Sequence, residues 1–287
     1  MLELLHISKK LNNNLILNDC TFSVPDGQIY GIVGINGVGK STLLKIISGV
    51  YKQNSGTILF NNSTILNNNL VKKDILFIPD NLSFYFYTKI KDIFEYYNVF
   101  YKINRKYLES LCTKFELNIN DKIIDLSKGT RKRVFIVLAL AIAPKLLLLD
   151  ETFDGLDPKA KHLFKEELLK LKETKNITVI LTSHSIRELN DIVDAILYLK
   201  EGTILNINDF TYHSEPIYRV ISSLDINNLD LNALNILRKE KNNNLNILDI
   251  YSNKESIDNI FNVKDSIYSL DLISFEDWIV YQMEVIA

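Results

Sequence analysis

Short apolar runs separated by Gly, Asn and Pro occupy the first third of the chain, and runs with helical spacing follow them. The early runs are LELLHI, LILNDCTFSV, QIYGIV, GTILF and ILFIP, whose lengths and boundaries are typical of β-strands. They predict an antiparallel flap beside one strand that leads into a glycine-rich loop. Between Lys89 and Phe115 the apolar residues recur at helical spacing. The pattern therefore predicts a mixed α/β fold.

Two later apolar runs, KLLLLDE and ITVILTSH, show no polar alternation. Such runs are typical of parallel strands that are covered on both faces. The first run ends in Asp150 and Glu151, and the second ends in Ser183 and His184. Ligands of doubly wound folds bind at the carboxyl ends of parallel strands, so we expect these side chains to share one edge of a sheet.

The loop after QIYGIV reads GINGVGKST and matches the spacing G-x-x-x-x-G-K-[ST]. Its glycines let the backbone curl with N–H groups directed at phosphate oxygens, and the N-terminus of the following helix favours the same anion. Lys40 can reach the β- and γ-phosphates, and Ser41 offers a hydroxyl to Mg²⁺. The alternative is a glycine-rich turn that matches by chance. The predicted nucleotide-binding residues are Gly34, Asn36, Gly37, Gly39, Lys40, Ser41 and Thr42.

The acidic pair after the run KLLLL suits hydrolysis of a phosphate bond. Asp150 can hold Mg²⁺, and Glu151 can orient and deprotonate the water that attacks the γ-phosphate. His184 occupies the equivalent strand end, where an imidazole can contact the γ-phosphate. We therefore predict Glu151, His184 and Lys40 as catalytic residues, and Asp150 and Ser41 as metal ligands.

The segment LSKGTRKR, from Leu126 to Arg133, precedes the apolar helix VFIVLALAIA. One interpretation is a helix capped by Ser127 with a solvated basic first turn. The other is a second anion-binding helix terminus, which is difficult to use within one chain because the phosphate loop already has that role. Further on, Asp157 and Pro158 predict the start of another helix.

Aromatic residues are concentrated between Phe84 and Tyr107. Aromatic residues at this density more often belong to a core, but their concentration in one segment is also consistent with a docking surface. The sequence leaves both interpretations open.

Composition narrows the functional classes. The net charge of −2 argues against a nucleic-acid partner, which usually requires a basic surplus. Cys20 and Cys112 are too few for a disulfide framework or a zinc site, so we interpret them as packing residues. The N-terminus lacks the features of a secretory signal, and the longest apolar region, Val134 to Leu149, is interrupted by Pro144. We expect a cytoplasmic protein that does not insert into a membrane.

From Leu2 to Asp209 the chain resembles the ATP-binding subunits of ABC transporters. The phosphate loop is similar to the family's Walker A motif, LSKGT to its signature motif and LLLLDE to its Walker B motif. GLD, from Gly155 to Asp157, resembles the D-loop, and His184 lies at the position of the switch histidine.

The resemblance implies a P-loop NTPase core with a parallel sheet, an antiparallel flap and a helical subdomain at about 84–143. It implies ATP and Mg²⁺ as cofactors and a head-to-tail homodimer that forms when ATP binds. Ser127, Gly129 and Asp157 would address the nucleotide across that dimer. It also implies integral membrane permease subunits as partners, with this chain peripheral on the inner face of the cell membrane.

Three positions depart from the family's usual pattern. Where relatives carry Gln after the strand ILFIP, this chain has Asp80, which could bind Mg²⁺ or could weaken the site by adding negative charge near phosphate. Thr152 and Phe153 replace the usual Pro-Thr after Glu151. The aromatic residue that stacks on adenine aligns near Leu11, which implies relaxed nucleotide selectivity.

The chain after residue 211 has a different pattern of apolar and polar residues. IYRVIS, LNILDIY and SIYSLDL predict strands, with helical stretches between them and at FEDWIVYQM. We predict an ATPase domain over residues 1–211 and a small α/β domain over residues 212–287. This extension and the LSKGT signature resemble ATPases of bacterial exporters of drugs, lantibiotics and other peptides.

The resulting hypothesis is an ATPase subunit that powers export of a peptide or amphipathic compound through separate membrane subunits. One alternative is an ATP switch that clamps a soluble partner. Another is a weakly hydrolysing regulator, which Asp80 makes conceivable.

Overall fold

The computed structural model describes residues 1–81, 87–206, 217–223, 234–242, 245–252, 254–261 and 267–273. The chain divides into two compact units, Met1–Asn206 and Ile207–Ala287. The division predicted at residue 211 falls among residues outside those described and stays a prediction.

A six-stranded sheet forms the centre of the first unit, in the order β10-β9-β3-β8-β7-β6. The strands β9, β3, β8, β7 and β6 run parallel, and β10 pairs antiparallel with β9 through the predicted hairpin at Glu201–Gly202. The strands are β3 (Ile29–Val33), β6 (Ile75–Ile78), β7 (Leu146–Leu149), β8 (Thr178–Ser183), β9 (Ala195–Lys200) and β10 (Thr203–Asn206). The predicted α/β fold with a parallel sheet is confirmed.

A second sheet of the first unit is antiparallel and has the order β2-β1-β4-β5. Its strands are β1 (Leu2–Leu11), β2 (Asn14–Val24), β4 (Ser55–Phe60) and β5 (Ser63–Thr64). This is the predicted flap, with one correction. The run ILFIP forms β6, which pairs with β7 in the parallel sheet, because its residues are apolar on both faces and suit a covered strand.

The described helices are α1 (Lys40–Ile47), α2 (Asn69–Lys72), α3 (Ile90–Asn98), α4 (Arg105–Lys114), α5 (Lys128–Ile142), α6 (Pro158–Lys175) and α7 (Lys254–Ile260). Ser127 caps α5 by accepting from the Thr130 N–H, and Asp157 caps α6 with Pro158 in its first turn, as predicted. Within the described residues, no helix combines the length and the hydropathy needed to cross a membrane.

Core packing agrees with the expectation for the two cysteines. Both are buried free thiols, and burial raises the pKa of Cys20 to about 11 and the pKa of Cys112 to about 11. A thiol that stays protonated at neutral pH is a poor nucleophile and a poor metal ligand. Both residues therefore act as packing groups.

The aromatic residues of the helical region divide between core and surface. Phe94 is 5% exposed, whereas Tyr87, Tyr96 and Phe100 are 81%, 63% and 58% exposed. The interpretation of this cluster as core is therefore wrong for these three residues, and Phe84 lies outside the described residues. Tyr87 precedes α3, whereas Tyr96 and Phe100 lie near its end and just after it.

The second unit contains an antiparallel sheet in the order β12-β13-β11-β14. Its strands are β11 (Ile217–Ser222), β12 (Asn235–Asn242), β13 (Leu245–Tyr251) and β14 (Ile267–Ile273). The strands β11, β13 and β14 and the helix α7 match the prediction. The helical stretch that the sequence predicts before LNILDIY is wrong for β12, which is a strand, and FEDWIVYQM lies outside the described residues.

A row of alternating charges crosses this second sheet. Arg238 on β12 is in register with Asp249 on β13, which is in register with Arg219 on β11, which is in register with Asp271 on β14. Asp249 is fully buried and receives two guanidinium hydrogen bonds from Arg219, at 2.7 and 3.0 Å. This pairing explains why NILRKEKN forms a strand, since Arg238 also lies 3.6 Å from Asp249.

In the first unit, Glu167 joins α4 to α6. Its carboxylate is almost fully buried and accepts hydrogen bonds from the Tyr107 hydroxyl and the Lys114 ammonium. Burial alone would raise the pKa of Glu167, but these two hydrogen bonds and the positive charge of Lys114 lower it.

We expect Glu167→Gln to lower the free energy of unfolding at pH 7 by about 1–2 kcal/mol, because a charge-assisted contact is lost and Lys114 is partly exposed. A carboxyl group whose folded-state pKa is lowered stabilises the fold above its ordinary pKa, and this stabilisation is lost as the pH falls through the folded-state pKa. The difference between wild type and variant should therefore shrink in acid. Urea titrations at several pH values measure it, with the exposed Glu166→Gln as control. A difference that does not change with pH would contradict this assignment.

Candidate functional site

The carboxyl ends of four neighbouring parallel strands create one edge of the central sheet. Val33 of β3 is in register with Ser183 of β8, and Leu149 of β7 is in register with Leu181 of β8 and Ile78 of β6. The residues that follow these strands are therefore brought together, as the sequence predicted. They carry the phosphate loop, the acidic pair, His184 and Asp80.

The phosphate loop connects β3 to α1 and depends on its glycines. Gly37 and Gly39 have φ angles of 80° and 117°, a region that side chains other than glycine rarely adopt. A Cβ at Gly34 would lie 2.6 Å from the Leu199 carbonyl oxygen. Gly39 caps α1 without a side-chain hydrogen bond, so the first N–H groups of this helix have no capping side chain.

The ammonium of Lys40 lies at the centre of this edge and is nearly buried. Its Nζ donates to the carbonyl of Gly34 at 2.7 Å and to that of Ile35 at 3.2 Å, and lies 3.4 Å from Glu151 Oε1. Only 3% of the Lys40 side chain is exposed. Two predicted catalytic residues are thus in direct electrostatic contact.

The acidic pair is held by a hydroxyl that sequence reasoning missed. Thr182 Oγ1 donates to Asp150 Oδ1 at 2.8 Å and accepts from the Glu151 N–H at 3.0 Å. Asp150 is a buried carboxylate, 3% exposed, and Thr182 is its side-chain donor among the described residues. The sequence does not indicate this role of Thr182, because its closeness to Asp150 depends on the register between β7 and β8.

His184 follows β8 and lies beside the acidic pair. Its Nδ1 is 3.4 Å from Asp154 Oδ1, and Glu151, Asp154 and His184 each place one ligand-type atom within 4.8 Å of the others. Asp154 is a residue of this site that the sequence did not indicate. About half of the His184 side chain is exposed, so the imidazole can also contact an incoming ligand.

The signature residues make their contacts at the start of α5. Within the part of the chain that the structure describes, no hydrogen bond or ion pair joins Ser127 or Gly129 to the phosphate loop. Gly129 packs so closely that a Cβ would lie 2.5 Å from the Gly155 carbonyl oxygen. Asp157 pairs with Arg133, and the hydrogen bond from the Ala160 N–H is the main cause that lowers the pKa of Asp157.

Asp80 makes an ionic contact of its own. Its Oδ1 is 2.8 Å from Lys132 Nζ, and its Oδ2 accepts from Asn81 at 2.9 Å. The expectation of a solvated basic turn is wrong for Lys132, which is only 8% exposed. Lys132 lies one turn before the buried Phe135 and Ile136, and that spacing is the signal that could have indicated its burial.

These residues fit a nucleoside triphosphate with a divalent cation. The uncapped N-terminus of α1 and the curled loop provide N–H donors for phosphate, and Asn36, Ser41 and Thr42 lie on the loop and the first turn. Asp150 and the Ser41 hydroxyl are oxygen ligands of the kind that Mg²⁺ prefers. Leu11 ends β1 as an aliphatic residue, so it offers no aromatic face to a base.

Comparisons with known proteins agree with this geometry. A family model described as ABC transporter matches residues 17–154. The ABC transporter ATP-binding protein YtrB of Bacillus subtilis is 29% identical over 240 residues, which are 82% of each protein. The uncharacterized ABC transporter ATP-binding protein YdbJ of the same species is 33% identical and covers 70% of this chain and 68% of its own length. The spermidine/putrescine import ATP-binding protein PotA of Mycoplasma capricolum is 35% identical over 72% of this chain and 61% of its own.

Two solved structures share the fold. An ATP-binding subunit of an ABC transporter is 26% identical with a TM-score of 0.68, covering 73% of this chain and 91% of its own. A dimeric ATP-binding cassette in a post-hydrolysis state with ADP and phosphate is 26% identical with a TM-score of 0.62, covering 71% of this chain and 96% of its own. The chain belongs to the family of ABC transporter ATP-binding proteins, and it is an ATPase subunit of that family.

Proposed function

We propose that this chain hydrolyses MgATP at the edge of its central sheet and thereby powers a transporter whose membrane-spanning subunits are separate chains. The supporting observation is the contact between Lys40 and Glu151 at 3.4 Å, beside the buried Asp150. A cation for phosphate, a base for water and a metal-binding carboxylate lie together there.

The residues have distinct roles in this proposal. Lys40 and the loop N–H groups bind the β- and γ-phosphates, and Glu151 orients and deprotonates the attacking water. Asp150 and Ser41 hold Mg²⁺, which neutralises phosphate charge when bound. His184 contacts the γ-phosphate through the ring nitrogen that does not face Asp154.

Glu151→Gln tests the role of the base. The variant should bind ATP and hydrolyse it about 10²–10⁴-fold more slowly, because an amide cannot accept the proton of the attacking water. Steady-state phosphate release and ATP binding by calorimetry measure the two properties. The exposed Glu173→Gln is the matched control and should behave as wild type. Hydrolysis by Glu151→Gln at the wild-type rate would remove Glu151 from this role.

We further propose that a homodimer completes the site when ATP binds. Ser127 is exposed and caps α5, with its described hydrogen bonds made to Thr130, so it is accessible to a second copy. The related cassette solved as a dimer supports this arrangement. In the proposed dimer, Ser127 and Gly129 address the γ-phosphate that the opposite subunit holds, and Asp157 lies at the same interface.

The exposed side chains near the end of α3 support a membrane-subunit partner. Tyr96, Val99 and Phe100 are 63%, 77% and 58% exposed, and the Tyr96 and Phe100 rings pack edge to face with centroids 5.4 Å apart. A contiguous apolar surface of this kind is typical of protein interfaces. On this proposal the chain is cytoplasmic and peripheral on the inner face of the cell membrane.

A double variant, Tyr96→Ser with Phe100→Ser, tests that surface. We expect it to lose co-purification with an integral membrane protein from detergent extracts while basal ATPase activity changes less than about twofold, because both side chains are exposed and pack against each other. Mass spectrometry identifies the captured chain, and Leu70→Ser, at a 78% exposed apolar residue elsewhere, is the control. Capture of ribosomal proteins instead would favour the alternative of an ATP switch on a soluble partner.

Transport direction rests on two opposing indications. The LSKGT signature and the C-terminal extension support export of a peptide or amphipathic compound, which is the direction we propose. PotA, a relative named for spermidine and putrescine import, supports the opposite direction. Uptake measured in inverted and right-side-out vesicles with the identified membrane subunit distinguishes them.

A further inference from the structure

Lys132 is the most deeply buried charged residue in the first turns of α5, and both contacts of its ammonium are at the catalytic edge. Its Nζ donates to the Glu151 carbonyl oxygen at 2.5 Å and lies 2.8 Å from Asp80 Oδ1. Its neighbours Lys128 and Arg131 on the same helix are exposed. A buried ammonium requires such partners, because its desolvation is costly when they are missing.

The contact to Glu151 acts on the backbone of the proposed base. Glu151 has a φ angle of 44°, in the left-handed region that residues other than glycine seldom occupy. The backbone is fixed on both sides there, since Thr182 accepts from the Glu151 N–H and Lys132 donates to its carbonyl. Such strained conformations persist where surrounding contacts hold them, as these two hydrogen bonds do.

The contact to Asp80 has a different character. Asp80 Oδ1 is buried and receives no hydrogen bond from the described residues, although Lys132 Nζ lies 2.8 Å away, so this contact is ionic. Asp80, Lys132, Asp150 and Thr152 line a common cavity of about 70 Å³. The Asp80 charge is thus next to the metal-binding carboxylate, and Lys132 is the cation that compensates it.

We propose that Lys132 is a positioning residue for ATP hydrolysis that does two separable things: it holds the Glu151 backbone in its left-handed conformation, and it neutralises Asp80 beside the nucleotide. The first part rests on the role of Glu151 given under the proposed function. Asp80 is, on this account, the partner of Lys132 and not a required metal ligand.

Three variants separate the two contacts. Lys132→Met removes both contacts, Asp80→Asn removes only the ionic one, and the double variant removes both while it restores the charge balance. Lys145→Met is the matched control, because Lys145 forms a surface pair with Asp74 at 2.9 Å before the same two strands. Measurements are kcat, KM for ATP, the Kd for ATP in EDTA, where no turnover occurs, and the thermal unfolding midpoint.

Lys132→Met should lower kcat about tenfold or more, since a small displacement of a catalytic group is sufficient for such a loss. It should also raise KM and the Kd in EDTA severalfold, because Asp80 then repels the phosphates. Asp80→Asn should keep kcat within about threefold and should not raise the Kd. The double variant should regain the wild-type KM and Kd while its kcat stays low. A residue that only stabilises the fold is not expected to give a double variant with wild-type KM and Kd but a low kcat.

Two results would overturn the proposal: a kcat of Lys132→Met equal to wild type, or recovery of kcat together with KM in the double variant. If Lys132→Met does not fold, Lys132→Arg provides the test, because its retained charge should preserve the Kd while its altered geometry lowers kcat. The outcome is distinct from that of the proposed function. Wild-type hydrolysis that Glu151→Gln abolishes, together with an unaffected Lys132→Met, would refute this inference alone.

Discussion

The site depends on one buried cation, the ammonium of Lys40. Burial of a charge is costly unless hydrogen bonds and an opposite charge compensate for it, and here two loop carbonyls and Glu151 do so. These contacts require the loop to curl over the start of α1, which in turn requires glycine where φ is positive. They also require β3, β8 and β7 to end at the same level, so that Glu151 arrives within reach. The phosphate loop, the start of α1 and the register of the sheet therefore together determine the environment of the Lys40 side chain.

Around that cation, the catalytic groups are fixed by residues that do not react. Thr182 links Asp150 to the backbone of Glu151, Lys132 binds that backbone from the other side, and Asp154 faces His184. Each comes from a different element, so the geometry is a property of the folded sheet edge and not of any one motif. The spacing of residues in a motif therefore indicates the chemistry of a site, whereas the exact positions of its side chains depend on residues outside the motif.

How much the sequence could predict depended on whether a signal was local. The phosphate loop, β7, β8 and the caps at Ser127 and Asp157 are local, because curling, burial on both faces and helix capping each involve neighbouring residues. The assignment of ILFIP to the flap failed, because strand order is set by pairing partners far along the chain. For Lys132, the helical spacing to Phe135 and Ile136 is a local sign of burial, but its partners Asp80 and Glu151 are distant in sequence and could not be predicted. The segment of β12 was misassigned because its arginine is stabilised by cross-strand pairing with Asp249.

The contact between Lys40 and Glu151 places the proposed base against the cation that binds phosphate in the proposed function. A triphosphate carries more negative charge than one carboxylate and competes for the same ammonium. If Lys40 binds phosphate, Glu151 would lose this ionic partner but would keep its backbone anchors at Thr182 and Lys132. A base released without those anchors would gain freedom and lose the orientation that proton abstraction requires.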